Sequence, residues 1–271
     1  MSEITSILKS EFPITIDNLK HDLIKLGIKR GDLLLVHSSL SSIGWVCGGA
    51  QSVITALMEV LGPEGTLVMP SHSGDWSDPT HWENPPVPFA WISIIQDNMP
   101  AYDPYLTKTR GMGAIAELFR LQPGVIRSNH PQLSFSAMGP LSQKVLSCQH
   151  LFPQLGMDSP LGKLYELNAK VLLLGVHYDS NTCFHLAETL LPNMKKIIDG
   201  TAMMIDGKRS WVQFEDYDYN SDDFLACGSN FDQLGKSIQG NIGYGESRLF
   251  SIKDAVDHAY AWLSINRIIE E

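Results

Sequence analysis

Apolar residues recur at helical steps over 18–26, where Leu19, Leu23 and Leu26 share one face and Gly27 comes next as a stop. An apolar run over 32–36 predicts a short strand, 49–61 a second helix and 66–69 a second strand. Strand, helix and strand in so short a stretch predict a right-handed parallel crossover, and the theme returns where a strand over 169–176 runs into a helix over 182–191. A helix over 113–121 and a closing amphipathic helix over 252–268, with Ala255, Ala259, Trp262 and Leu263 on one side, add further cover. Asp206 and Gly207 form a turn signal between strands over 202–205 and 209–214, which predicts a hairpin. The expected fold class is α/β: a mainly parallel central sheet flanked by helices, with a β-hairpin elaboration, in a single domain over 1–271.

The most informative stretch is the strand over 169–176 together with the polar residues just beyond its end. Asp179, Thr182, His185 and Glu188 stand at steps of three. On a helix beginning near Asp179 or Ser180, Thr182, His185 and Glu188 lie close to one face, while Cys183, Phe184, Ala187, Leu190 and Leu191 point into a core. A polar ladder then stands at a strand's C-terminal end, the edge where α/β proteins assemble their sites. A histidine between carboxylates there is a candidate general base. The plainer reading makes Asp179 or Ser180 an N-cap and Glu188 a solvated helix position.

Three other regions carry candidate chemistry. The segment 37–44 is rich in serine and comes directly after the first strand, and Gly48 and Gly49 open the next helix, so backbone N–H groups and a helix N-terminus would be available to an anion. Arg110 and Arg127 offer planar donor forks to a phosphate, or equally to a structural carboxylate. The segment 71–104 is long for a connection and rich in proline, tryptophan and aspartate, which favours a functional loop; Trp76, Trp82 and Trp91 would either stack on a ligand or pack on the core.

Composition narrows the class. A chain of 271 residues with 44% hydrophobic content can bury a large core. Cys47, Cys148, Cys183 and Cys227 have no close spacing, which suits reduced thiols. Neither a secretory leader nor a membrane-length apolar run is evident, so the expected location is cytoplasmic, with no membrane partner. A formal charge of −10 argues against nucleic acid as a partner and favours a cationic ligand. Acidic residues gather at Glu215, Asp216, Asp218, Asp222 and Asp223 and would form either an attracting rim or a solvated loop.

The run Gly175, Asp179, Thr182, His185, Glu188 resembles the Gly-x-x-x-Asp-x-x-Thr-x-x-His-x-x-Glu signature of the aminoglycoside 3-N-acetyltransferase family. The resemblance extends to 35–44, 48–50, 65–70, 109–113 with Glu117, 127–131 with Ser134 and Phe135, 159–164 and 248–250. It implies an antibiotic N-acetyltransferase fold, distinct from the common acetyltransferases that hold coenzyme A at a splayed strand pair, with acetyl-CoA as cosubstrate and no metal. The acceptor would be an aminoglycoside, at the 3-amino group of 2-deoxystreptamine, or a related amine; a homodimer is left open. By the same resemblance His185 is the general base, with Asp179, Thr182 and Glu188 as its catalytic neighbours, and His37, Ser38, Ser39, Leu40 and Ser41 contact coenzyme A. Arg110, Arg127, Ser134 and Phe135 would join that channel, while Glu117, Asp179 and His177 would face the acceptor. Family members often carry an apolar residue or an acid at the place of His177, so His177 would enlarge or repolarise the acceptor pocket.

The chemistry expected is direct transfer. A primary ammonium cannot attack a thioester until a base takes its proton, and imidazole, with an ordinary pKa near 6.5, suits that task. Either Glu188 or Asp179 would orient the ring; Thr182 would donate to the developing oxyanion or the thiolate. From a different class, His177, Asp179, His185 and Glu188, or His72, Asp75, Asp78 and His81, would supply a zinc hydrolase, although no specific zinc spacing is present. A serine hydrolase lacks its G-x-S-x-G elbow, and a binding protein without activity would have no use for the intact ladder.

Overall fold

The computed structural model describes residues 3–267. Three strands form its centre: β1 (Leu33–Ser38), β2 (Thr66–Pro70) and, later in the chain, β5 (Lys170–Leu174). β1 pairs in parallel with β2 on one side and β5 on the other, with Leu34 opposite both Leu67 and Lys170. Between β2 and β5 come β3 (Ile126–Arg127) and β4 (Phe135–Met138); after them come β6 (Lys196–Ile205), β7 (Lys208–Tyr217), β8 (Ser237–Ile242) and β9 (Gly245–Ser251). The main sheet has seven strands in the order β3-β4-β2-β1-β5-β9-β8. Parallel pairing is thus confined to the central trio, and β4, β3, β9 and β8 extend the sheet with antiparallel pairs. The sheet is mixed. β8 and β9 meet through a tight turn, a connection available only to antiparallel neighbours.

The central strands are apolar on both faces because both are covered. Leu35, Val68, Val171 and Leu173 face one core, and Leu34, Leu67, Leu172 and Leu174 face the other. The second core takes the helices Ile16–Leu26 and Gly49–Leu61. The former is fixed at its start by a reciprocal Thr15–Asn18 capping box and stopped by Gly27 at φ 111°. The closing helix, Ile252–Asn266, buries Ala255, Val256, Ala259 and Leu263 in the first core; Ile268 of the expected helix lies outside the described residues.

The hairpin β6–β7 forms its own two-stranded sheet, ten residues per strand and longer than the alternating pattern predicts. Asp206 and Gly207 both have positive φ, 48° and 75°, as a tight turn of this kind requires. The long segment 71–104 is pinned to the hairpin. Asp78 N–H donates to Asp199 (2.8 Å), Tyr102 N–H to Ala202 O (2.9 Å), and Arg209 Nε to Met99 O (3.0 Å). Two of its tryptophans brace the segment internally, Trp76 donating to Pro100 O and Trp82 to Ser77 Oγ, while Trp91 is exposed. Among the described residues no helix is long and apolar enough to cross a membrane.

Candidate active site

The parallel trio ends at one edge, and the chain turns there in ways that only particular residues allow. After β5, Gly175 has φ 66°, and a Cβ on it would lie 2.9 Å from Ser42 Cβ, so the exit of β5 passes directly over the loop leaving β1. Ser39 N–H donates to Leu174 O (3.0 Å) and ties the two exits together. A short 3-10 turn, Tyr178–Ser180, presents Asp179, and the helix proper is Cys183–Glu188. That helix starts later than expected: His177 precedes the 3-10 turn and Thr182 the helix, without a side-chain cap from Asp179 or Ser180. Tyr178 stacks on Phe184 at 5.7 Å and fixes the turn against the core. Cys183, Phe184, Ala187 and Leu191 are buried as the pattern requires, whereas Leu190 is 44% exposed because the helix has ended before it.

His185 and Glu188 form a dyad. Glu188 Oε2 meets His185 Nδ1, and the carboxylate is fully buried while the imidazole keeps a fifth of its surface. The second oxygen, Oε1, accepts from Asn220 N–H (3.1 Å) and from Arg267 Nη1. Between the two readings open in the sequence, Glu188 is the carboxylate that orients His185, since a residue three positions on shares its helical face. With Nδ1 engaged, Nε2 is left for a ligand. The rings of Phe224 (4.8 Å) and Tyr219 (5.3 Å) wall the imidazole.

His185 lines a cavity of about 280 Å³ together with His37, His72, Asp179, Thr182 and Tyr219. A groove of about 610 Å³ is lined by Ser38, Ser39, Leu40, Ser41, Gly49 and Ala114, among others. Ser38, Gly111, Val176 and Ser180 line both, so the groove opens into the cavity. The groove is built from small residues at the N-terminal ends of two helices, Gly49–Leu61 and Gly113–Phe119. A Cβ on Gly49 or Gly111 would touch no protein atom within 4 Å, so that space belongs to the groove. His37 and His72 keep buried Nε2 atoms without a partner, and burial pulls both imidazoles down to about 3, so both are neutral at ordinary pH.

The ladder Asp179, Thr182, His185 and the run 37–41 therefore converge. Other expected residues do not. Arg110 pairs with Asp75 and donates to Asn84 O (3.1 Å), facing a separate hollow of about 350 Å³ beside Trp82 and Glu83. Arg127 is saturated by Ser134 Oγ, Ser73 Oγ and the carbonyls of Ser71, Pro104 and Thr107; it has no donor left for a phosphate. Ser134 is fully buried with Arg127 and Ser71 O, and Phe135 is fully buried in β4. Neither lines the groove, because the alternating side chains of an antiparallel strand are claimed by the core and the Arg127 network.

Glu117 sits outside both linings. Burial opposes its charge, but hydrogen bonds from Arg120 and Thr109 prevail and bring it down to about 2. His177 is exposed and contacts Arg248 (3.4 Å), away from the cavity. The acidic run is largely spoken for: Glu215 pairs with Lys196, Asp218 with Lys195 and Asp223 with Arg267, while Asp216 is buried against Gln154 and pushed up to about 6 by that burial. Among the described residues, Asp179 is the carboxylate that lines the cavity.

The two His/Asp sets considered for zinc are dispersed. Glu188 is committed to His185 and Arg267, Asp75 to Arg110, Asp78 to Thr80 and Gln96, and His81 to Ile198 O. Among the described residues no three His, Cys, Asp or Glu side chains converge to hold a metal ion. Sequence patterns missed Tyr219, Asn220 and Arg267, which enter the site from the segment after β7 and from the end of the last helix. Arg267 stands 79 residues from Glu188, a separation for which no local spacing gives a signal.

The family model for aminoglycoside 3-N-acetyltransferase matches residues 35–264. The chain is 48% identical to the SPbeta prophage-derived aminoglycoside N(3')-acetyltransferase-like protein YokD of Bacillus subtilis (strain 168), over 94% of each chain. The crystal structure of YokD superposes with a TM-score of 0.95 and covers 97% of this chain and 98% of its own. Aminoglycoside N(3)-acetyltransferase VII of Streptomyces paromomycinus is 32% identical over 97% of this chain and 96% of its own. A structure described as AAC-IIIb binary with CoASH aligns with a TM-score of 0.82 at 28% identity, over 93% of this chain and 97% of that one.

Proposed function

Because the chain belongs to the aminoglycoside 3-N-acetyltransferase family, we propose that it transfers the acetyl group of acetyl-CoA to an aminoglycoside amine, the 3-amino group of a 2-deoxystreptamine ring. The observation that carries this reading is the His185–Glu188 dyad standing where a groove of small residues opens into a cavity that holds one free carboxylate, Asp179.

Acetyl-CoA supplies an activated thioester. Residues 38–41, Gly49 and Ala114 would hold its pantetheine arm and phosphates along the groove, where the N-terminal end of the helix Gly49–Leu61 favours negative charge. Asp179 would attract the protonated acceptor and orient it in the cavity. His185 Nε2 first relieves the bound ammonium of one proton, which passes to solvent, then takes the second as the neutral amine nitrogen bonds to the acyl carbon and delivers it to the departing sulfur as the C–S bond breaks. Glu188 holds the ring in the tautomer with Nδ1–H and stabilises the imidazolium. Thr182 offers a hydroxyl to the charge that develops on the acyl oxygen. His37 and His72 stay neutral and so do not repel the incoming cation.

The test is coenzyme A thiol release from acetyl-CoA against a panel of 2-deoxystreptamine aminoglycosides and simpler amines, with and without a chelator. Chelator-insensitive release that depends on the sugar supports the proposal. Release that is abolished by the chelator, or absent with every amine despite binding of coenzyme A, overturns it.

A further inference from the structure

Glu188 has no exposed surface, and one of its oxygens already serves His185. A buried carboxylate beside a neutral imidazole needs a positive charge from elsewhere. Arg267 supplies it. The residue stands just past the last turn of the closing helix, keeps 14% of its side chain exposed, and donates through Nη1 to Glu188 Oε1. Its remaining donors reach Asp223 Oδ2 (Nε, 2.8 Å) and Asn220 O (Nη2, 2.8 Å), while Asn220 N–H returns to Glu188 Oε1. The guanidinium also lies 5.9 Å from the Phe224 ring centre, and that same ring packs on His185. One cation therefore ties together the carboxylate, the aromatic wall and the loop that delivers Tyr219.

We infer that Arg267 is a positioning residue for the transfer reaction, acting through Glu188 to fix its carboxylate on His185 and to limit the negative charge felt by the imidazole. This rests on the reading of His185 as the base. Without Arg267, Glu188 stays ionised with its negative charge uncompensated and holds His185 as a resting imidazolium, so the free base at neutral pH is diminished.

Among the described residues, the other ionisable groups around His185 are Asp179 on its own segment, His37 at the end of β1, His72 after β2, Asp216 on β7, Tyr219 after β7, and Asp223 before the helix Phe224–Gln233. His37 and His72 are neutral, Tyr219 is pushed up by burial and keeps its proton, and Asp216 sits behind Tyr219. Removing the positive charge of Arg267 from this set raises the affinity of His185 for a proton.

The experiment compares pH profiles of kcat/KM for wild type, Arg267→Gln and Arg267→Lys, with His185→Ala as reference. Arg267→Gln should move the acidic limb up by about one pH unit and lower kcat/KM at pH 7 severalfold, with the KM for acetyl-CoA little changed. Arg267→Lys, which keeps the charge but not the fork, should leave the limb within a few tenths of a unit of wild type. A purely structural arginine would lower Tm in both variants and leave the limb in place. If His185→Ala is inactive while Arg267→Gln, or Arg267→Met where Gln does not fold, leaves the acidic limb in place, the inference about Arg267 falls alone. If His185→Ala turns over normally, the base reading falls first.

Discussion

Glu188→Gln is the sharpest perturbation of the proposed mechanism, because it keeps the shape of the side chain and removes its charge. The carboxylate is fully buried and contacts His185 directly, so water screens the pair weakly. For unit charges about 4 Å apart at an effective dielectric constant of about 20, the attraction is about 4 kcal/mol, which corresponds to about a thousandfold in rate if it is felt mainly when the imidazole is charged. The amide adds a second effect. Arg267 and Asn220 N–H both donate to Oε1, so the amide oxygen will face them and its NH2 will face His185 Nδ1. That arrangement requires an unprotonated Nδ1 and places the ring proton on Nε2, the nitrogen needed as base. Initial rates of thiol release at saturating acetyl-CoA should fall by at least about a thousandfold, while calorimetric binding of coenzyme A stays within about twofold because no groove residue touches Glu188. A variant that folds, binds coenzyme A and keeps kcat/KM within about tenfold of wild type would refute the orienting role of Glu188.

The same geometry sets four further outcomes. His185→Ala should lower turnover by several orders of magnitude with coenzyme A binding nearly intact, and unchanged turnover would remove His185 from the mechanism. Ala114→Trp, at an exposed groove position, should raise the KM for acetyl-CoA at least tenfold with Tm unchanged; an unaltered KM would place the cosubstrate elsewhere. Arg127→Met removes five hydrogen bonds and should cost about 3–5 kcal/mol in denaturant unfolding, whereas unchanged stability with weaker coenzyme A binding would restore a ligand role. Burial holds His37 and His130 at about 3, below their unfolded value near 6.5, so the unfolded chain takes up protons first. The stabilisation is complete above pH 6.5 and is lost as pH falls toward 3. At pH 5 each should contribute a loss of roughly 2 kcal/mol, and flat stability between pH 7 and 5 would contradict this.

Local patterns were legible where a single element carried them. The helix Gly49–Leu61 begins and ends where its periodicity and glycines indicate, and the three-residue steps through Thr182, His185 and Glu188 foretell the shared face on which the dyad forms. Pattern alone did not reveal that β3, β4, β8 and β9 pair antiparallel, since a short buried strand looks the same in either direction. Nor could it separate a ligand-binding arginine from a structural one. Arg127 carries the right chemistry for phosphate, but the fold surrounds it with carbonyls. Arg267 shows the converse: an unremarkable residue at a helix end becomes part of the site because the closing helix packs against the helix of His185.

The most direct measurement of the central claim is mass analysis of a 2-deoxystreptamine aminoglycoside after incubation with acetyl-CoA and either wild type or His185→Ala, with NMR assignment of the modified nitrogen. Wild type should add one acetyl group at the 3-amino position, and His185→Ala, still binding coenzyme A, should add essentially none. An unmodified sugar from wild-type protein that binds both ligands, or equal product from His185→Ala, would contradict it.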